Sequence, residues 1–214
     1  MGVSLLAMAA VASPGPALHS IASAVDAHYN HLQTLRAEFT QIYRGPGTER
    51  TESGTLWLKK PGKMRWQYRS PREKLFVSDG KMAWFYVPGE PQVRRTPVRE
   101  LDDLRSPLAF LLGKTKLEKE LSDLSISSDI QPLEPGDIVL TGVPTAMADQ
   151  VSRAVLEITP DGRITRILLD GTDGSSTEFR FQGEVENRKI DDRDFRFAVP
   201  PGVEVLDGNF APGQ

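Results

Sequence analysis

Apolar and polar residues alternate with a period of two along most of this chain, and the exceptions are as informative as the rule. Over residues 17–43, Leu18, Ile21, Val25, Tyr29, Leu32, Leu35, Phe39 and Ile42 recur at intervals of three and four, with His19, Ser23, Asp26, Asn30, Gln33 and Glu38 on the other side. That spacing predicts a long amphipathic helix, ended by Arg44-Gly45-Pro46-Gly47. From residue 55 the period is two. Leu56 and Leu58 share one face and Trp57 takes the other. Met64, Trp66 and Tyr68 then face away from Lys63, Arg65, Gln67 and Arg69. Strands follow over 75–78, 82–87 and 92–96, separated by Pro61-Gly62, Ser70-Pro71, Asp79-Gly80 and Pro88-Gly89. Such regular punctuation predicts an antiparallel meander.

The period breaks again near Glu100. Leu101, Leu104, Leu108, Leu111 and Leu112 have helical spacing, Ser106-Pro107 can open a short helix, and Gly113 can close it. Residues 107–112 are the most apolar stretch after the N-terminus, and 117–123 suits a helix or a strand. Strands resume over 124–130, 137–141, 153–159, 164–170 and 175–185. The tail carries Phe195 and Phe197 in alternation and a short strand over 203–206. No linker or internal repeat divides the chain. The expectation is one domain over 13–214, mainly β, with a long helix, about ten antiparallel strands and a helical insert.

The first twelve residues stand apart. The run over 3–12 is too short to span a bilayer, which needs about 20 residues, and it suits the apolar core of a secretory signal peptide. Ala10-Val11-Ala12 offers the small-x-small pattern of a cleavage site, although no Lys or Arg precedes the run. Residues 1–12 are therefore expected to be a signal segment and the mature chain extracytoplasmic; the alternative is an N-terminal helix packed on the core.

Composition narrows the chemistry. The 214 residues contain no cysteine and three histidines, which excludes disulfides, thiolate metal sites, thiol catalysis and a lipid-bearing N-terminal cysteine. A net charge of −3 argues against a dedicated nucleic-acid binder. Nucleophile elbows, phosphate loops and dinucleotide fingerprints are absent. His28 and His31 could share a metal by spacing alone but read better as solvated side chains, and Asp191, Asp192 and Asp194 lack the pattern of a calcium loop. Lys59, Lys60, Lys63, Arg65, Arg69, Arg72 and Lys74 face only Glu73. Alternation puts Trp66 and Tyr68 on the face opposite Arg65 and Arg69, so this basic face reads as solvated, or as a dock for an acidic partner or an anionic membrane. Leu56, Leu58, Met64 and Trp66 either line a cavity or belong to an ordinary sheet–helix core.

Several segments in this order resemble a known family: 35–41 (LRAEFTQ), 53–66 (SGTLWLKKPGKMRW), 77–81 (VSDGK), 84–86 (WFY) and 195–205 (FRFAVPPGVEV). The chain resembles the periplasmic outer-membrane lipoprotein carriers (LolA) from about residue 17 to 206. The resemblance implies an unclosed antiparallel half-barrel of about eleven strands, covered by a helical lid over an apolar cavity. It implies no enzymatic activity and no cofactor. The implied partners are triacylated lipoproteins, an inner-membrane lipoprotein-releasing ABC transporter and an outer-membrane lipoprotein receptor, with the carrier a periplasmic monomer. Leu56, Leu58, Met64, Trp66, Leu108, Phe110, Leu111 and Leu112 become candidate acyl-chain contacts. Lys60 stands where the family often has Arg and becomes the candidate lid latch; Met64 stands where a large apolar residue, commonly Phe, is usual. The competing reading is an extracytoplasmic module that senses lipid or lipoprotein, or binds a small hydrophobic ligand.

Overall fold

The computed structural model describes residues 15–100 and 116–208. Helix α1 (Gly15–His31) leads into β1 (Thr34–Gly45), β2 (Thr48–Lys59), β3 (Lys63–Ser70), β4 (Lys74–Asp79), β5 (Met82–Tyr86) and β6 (Gln92–Pro97). After residue 115 come a one-turn helix, α2 (Leu117–Glu120), then β7 (Leu121–Ile126), β8 (Ile138–Pro144), β9 (Val151–Ile158), β10 (Ile164–Gly171), β11 (Ser176–Glu186) and β12 (Glu204–Asp207). All twelve strands join one open sheet in the order β12-β6-β5-β4-β3-β2-β1-β11-β10-β9-β8-β7. The mainly β, unclosed architecture is the expected one, with twelve strands among the described residues and one correction: β12 pairs parallel to β6. The expected signal segment, residues 1–12, and the candidate lid residues Leu108, Phe110, Leu111 and Leu112 lie outside the described residues.

The predicted helix over 17–43 is half helix and half strand. Leu35, Phe39 and Ile42 fit a helical period, but Leu35, Ala37, Phe39 and Gln41 fit a period of two equally well, and those four are buried. Long-range pairing decides between them. β1 forms a continuous ladder with β2, from Thr34 opposite Lys59 to Gly45 opposite Thr48, and pairs with β11 on its other side. Its β-branched and aromatic residues suit that central place. Pro46-Gly47 thus closes a hairpin instead of ending a helix, with Gly47 at φ +72°. The ambiguous stretch over 117–123 contains both elements, with α2 passing directly into β7.

Side chains on one face of the sheet, the inner face, form a continuous buried cluster with Ala22, Val25 and Tyr29 of α1. The helix is fixed at several points. The Tyr29 hydroxyl accepts a hydrogen bond from the Ile164 amide at 2.9 Å. The β9–β10 turn touches the helix backbone: a Cβ on Gly162, which sits at φ +87°, would lie 2.8 Å from the Ala24 carbonyl oxygen, so only glycine serves there. The Leu117 amide donates to Asp26 at 3.0 Å, and His19 meets Glu118 at 3.0 Å, which ties α2 to α1.

The tail covers part of the outer face. After β11, the 3-10 turn at Asp192–Phe195 packs on β3 and β4 and buries Phe195. Phe197 stacks on Trp84 at 5.4 Å. This corrects the reading of the basic face. Asp192 bridges Lys59 at 2.6 Å and Lys63 at 2.7 Å, and the Asp194 carbonyl accepts from Arg65 at 3.1 Å. Asp192 of the acidic cluster and the Lys59–Lys63 end of the basic strand face, read separately in the sequence, are partners. Hydrogen bonds from Lys59 and Lys63 hold the Asp192 carboxyl down at about 2.

Candidate functional site

The ladder register sorts the inner face of β1–β4 into rows. Leu35, Leu58, Met64 and Ser78 form the row nearest Lys60; Leu56, Trp66 and Phe76 form the next. Phe39, Gly54, Tyr68 and Lys74 make the third, and Gln41 and Glu52 the fourth. Leu56, Leu58, Met64 and Trp66, the four candidate contacts within the described residues, are all buried in the one cluster. From β1 and β11 the structure adds rings that the sequence reading did not single out. Phe39 lies 4.7 Å from Trp66 and 4.9 Å from Tyr68, and Phe179 lies 5.7 Å from Trp66. Phe39 was hidden by its assignment to a helix. Phe179 and Phe181 were legible as an alternating pair inside a strand.

Gly54 makes this aromatic cluster possible. A Cβ there would stand 2.0 Å from the Gln67 carbonyl and 2.9 Å from the Phe39 ring. Among the four candidate contacts one polar group stands out, the buried Trp66 indole N–H, which has no hydrogen-bond partner.

Lys60 sits at one rim of the face. Its Nζ donates to the carbonyls of Tyr29 at 2.6 Å and Asn30 at 3.2 Å, at the end of α1. A cation there satisfies carbonyls that the helix leaves open and opposes the negative end of its dipole. Nearby, His28 meets Glu186 at 3.1 Å, whereas His31 turns back to the Ala27 carbonyl, so the two histidines do not converge. On β11, burial pushes the Glu184 carboxyl up to about 7; Arg163, 3.9 Å away, opposes this, and Glu186 and Asp161 push the same way as burial.

The far end of the inner face is polar. Lys74 Nζ meets Glu52 at 2.6 Å, with side chains 10% and 4% exposed, and the Tyr68 hydroxyl donates to Gln41 at 2.7 Å. Burial, with the negative charge of Glu52 nearby, raises the Tyr68 phenol well above its usual range. An open cleft of about 330 Å³ borders this end, lined by Tyr68 and Lys74 together with Arg65, Gln67, Tyr86 and Phe197 among others. It touches none of the candidate contacts. Among the described residues, no group of three metal-ligating side chains gathers, and no helix is long and apolar enough to cross a membrane.

An unclosed sheet whose apolar inner face is covered by its own helix suits reversible burial of an apolar guest. Residues 30–198 match the family described as outer membrane lipoprotein carrier protein LolA. An outer-membrane lipoprotein carrier protein of Nitrosospira multiformis is 32% identical over 82% of this chain and 83% of its own. One from Azotobacter vinelandii is 33% identical over 83% of each. A LolA superfamily protein of known structure from Nitrosomonas europaea aligns with 84% of this chain and 97% of its own, at a TM-score of 0.47 and 12% identity. The chain belongs to the LolA family of outer-membrane lipoprotein carrier proteins.

Proposed function

We propose that this protein is a periplasmic, non-enzymatic carrier that shelters the acyl chains of triacylated lipoproteins on the inner face of its sheet. It collects them from an inner-membrane ABC transporter and delivers them, as a monomer, to the outer membrane or a receptor there. One observation carries the reading: in a member of the carrier family, Leu56, Leu58, Met64 and Trp66 stand in adjacent rows of a buried apolar wall beneath a helix.

The energetics explain why such a wall is needed and why it is already covered. Each methylene taken out of water is worth about 0.8 kcal/mol, so three acyl chains do not cross an aqueous space unaided. A carrier that bound them with all of that energy would not let go. If cargo must first displace side chains that fill the wall in the empty protein, the packing lost on opening is subtracted from the affinity. Leu108, Phe110, Leu111 and Leu112 are the proposed lid, and Lys60, hydrogen bonded to the end of α1, is its proposed latch.

The test is release of a labelled triacylated lipoprotein from spheroplasts into a soluble complex with the mature protein. Met64→Glu puts a charge on the row nearest the rim and is expected to abolish that complex while leaving the circular dichroism spectrum native. Normal release by this variant refutes the assignment of the wall. No release by the parent protein, with a cognate transporter present, refutes the carrier role and leaves a module that senses lipid or binds a small hydrophobic ligand.

A further inference from the structure

The inner face changes character along the strands. Its two rows nearest Lys60 are apolar apart from Ser78, the third mixes Phe39 with Tyr68 and Lys74, and the fourth brings Gln41 beside Glu52. The polar groups at this end pair with one another: Lys74 with Glu52 at 2.6 Å, Arg50 with the same carboxylate at 3.9 Å, and Tyr68 with Gln41 at 2.7 Å. A mouth for a polar head group would leave such groups wet. Here the Glu52 and Lys74 side chains are withdrawn from solvent, although Lys74 and Tyr68 also border the open cleft, so the inner face ends on a buried ion pair.

We propose that the Glu52–Lys74 ion pair, with Tyr68 and Gln41, is the floor of the acyl-chain site and sets the length of chain the carrier accepts. This rests on the carrier reading above. A methylene pushed onto the pair would have to part the buried Lys74 ammonium from its carboxylate, leaving Glu52 only the Arg50 guanidinium at 3.9 Å, and a buried charge stripped of its close partner is strongly unfavourable. The depth follows from the register. Leu58 and Glu52 share one face of β2 six positions apart, about 20 Å at about 3.3 Å per strand residue. An extended hydrocarbon advances about 1.25 Å per methylene, given carbon–carbon bonds of about 1.5 Å. The floor therefore admits a chain of about sixteen carbons.

The experiment is displacement of 11-(dansylamino)undecanoate from the full mature protein by saturated fatty acids of ten to twenty carbons, each below its micellar concentration. For the parent protein, affinity is expected to rise about fourfold per methylene up to about sixteen carbons and then to level or fall. Glu52→Leu combined with Lys74→Met replaces the pair by apolar side chains, an exchange that buried ion pairs often tolerate, and should carry the rise on to longer chains. A parent series that keeps rising beyond eighteen carbons overturns the floor, and it needs no variant. So does a double variant whose break stays in place. A double variant weakened equally at every length also overturns it, by making the pair a head-group site. If no fatty acid displaces the probe and the spheroplast assay also fails, the carrier reading falls along with the floor. If release succeeds while fatty acids fail to compete, only the floor is lost.

Discussion

Removing the charge of Lys60 tests whether α1 is held or merely resting on the sheet. Lys60→Met keeps most of the aliphatic stem and deletes an ammonium that donates to Tyr29 O at 2.6 Å and Asn30 O at 3.2 Å. Charge-assisted hydrogen bonds contribute about 1.5–3 kcal/mol when well shielded, and a cation at a helix C-terminus adds about 0.3–1 kcal/mol. Lys60 is only half-buried, so screening brings the expected total down to about 1–2 kcal/mol. Other anchors remain, since Tyr29 still accepts from the Ile164 amide and Asp26 still holds Leu117. The helix should loosen without leaving. Native-state hydrogen exchange is the assay: amides in the last two turns of α1 should lose protection by about tenfold, as 1.4 kcal/mol corresponds to tenfold, while β1 and β2 change less. Lys60→Arg should keep the protection, because a guanidinium offers several donors to the same two carbonyls. If α1 must move to admit cargo, Lys60→Met should also bind a fatty-acid probe more tightly by the same factor, because less packing is lost on opening. Protection within twofold of the parent refutes Lys60 as an anchor of α1. Lost protection with unchanged affinity places the moving cover elsewhere.

Two further expectations follow from the same geometry. Glu184 has a folded-state pKa of about 7 against 4.5 for a free carboxyl, so the folded protein binds the extra proton. Stability should therefore fall as pH rises from about 4.5 to about 7 and level off above that, by up to about 3 kcal/mol. Glu184→Gln should flatten this slope in urea melts at pH 5 and pH 8, and an unchanged slope would assign the dependence to other groups. Gly54→Ala forces a methyl group against the Gln67 carbonyl at 2.0 Å, and should cost about 2 kcal/mol or more; a melting midpoint unchanged from the parent would show that the β2–β3 ladder yields at this point.

The sheet was largely legible because its turns are written in glycine and proline and its strands in period two. The error over 17–43 has a definite cause. Leu35, Phe39 and Ile42 satisfy both periods, and a local pattern cannot report that Thr34–Gly45 has two partners waiting, one of them β11, more than a hundred residues away. The tail was opaque for the same reason. Nothing local says that Phe195 and Phe197 belong to the outer face of distant strands, or that β12 runs parallel to β6. Of the site, Leu56, Leu58, Met64 and Trp66 could be read from alternation alone, as one face of a hairpin. The partners of Glu52 and Lys74 could not: each is a charge in a charged neighbourhood until the register puts them together.

The two faces of the sheet are covered by different means, and the difference matters for a carrier. On the outer face, the tail packs Phe195 fully and pairs Asp192 with both Lys59 and Lys63, then continues the sheet as β12. Peeling it away would break ion pairs, ring stacking and a strand ladder together. On the inner face, α1 makes no ladder. It meets the sheet through side-chain packing and a few tethers, notably Tyr29 to Ile164 and Lys60 to its last carbonyls. Packing of that kind can be exchanged for packing against another apolar body at little net change, because dispersion and burial do not depend on which methylene supplies them. A strand ladder cannot be exchanged so, since its donors and acceptors need partners at fixed spacing. A guest of acyl chains therefore competes with the cover of the inner face on equal terms and has no means of competing with the tail. On the proposed function, cargo exchange takes place on the inner face while the rest of the fold stays intact through loading and release.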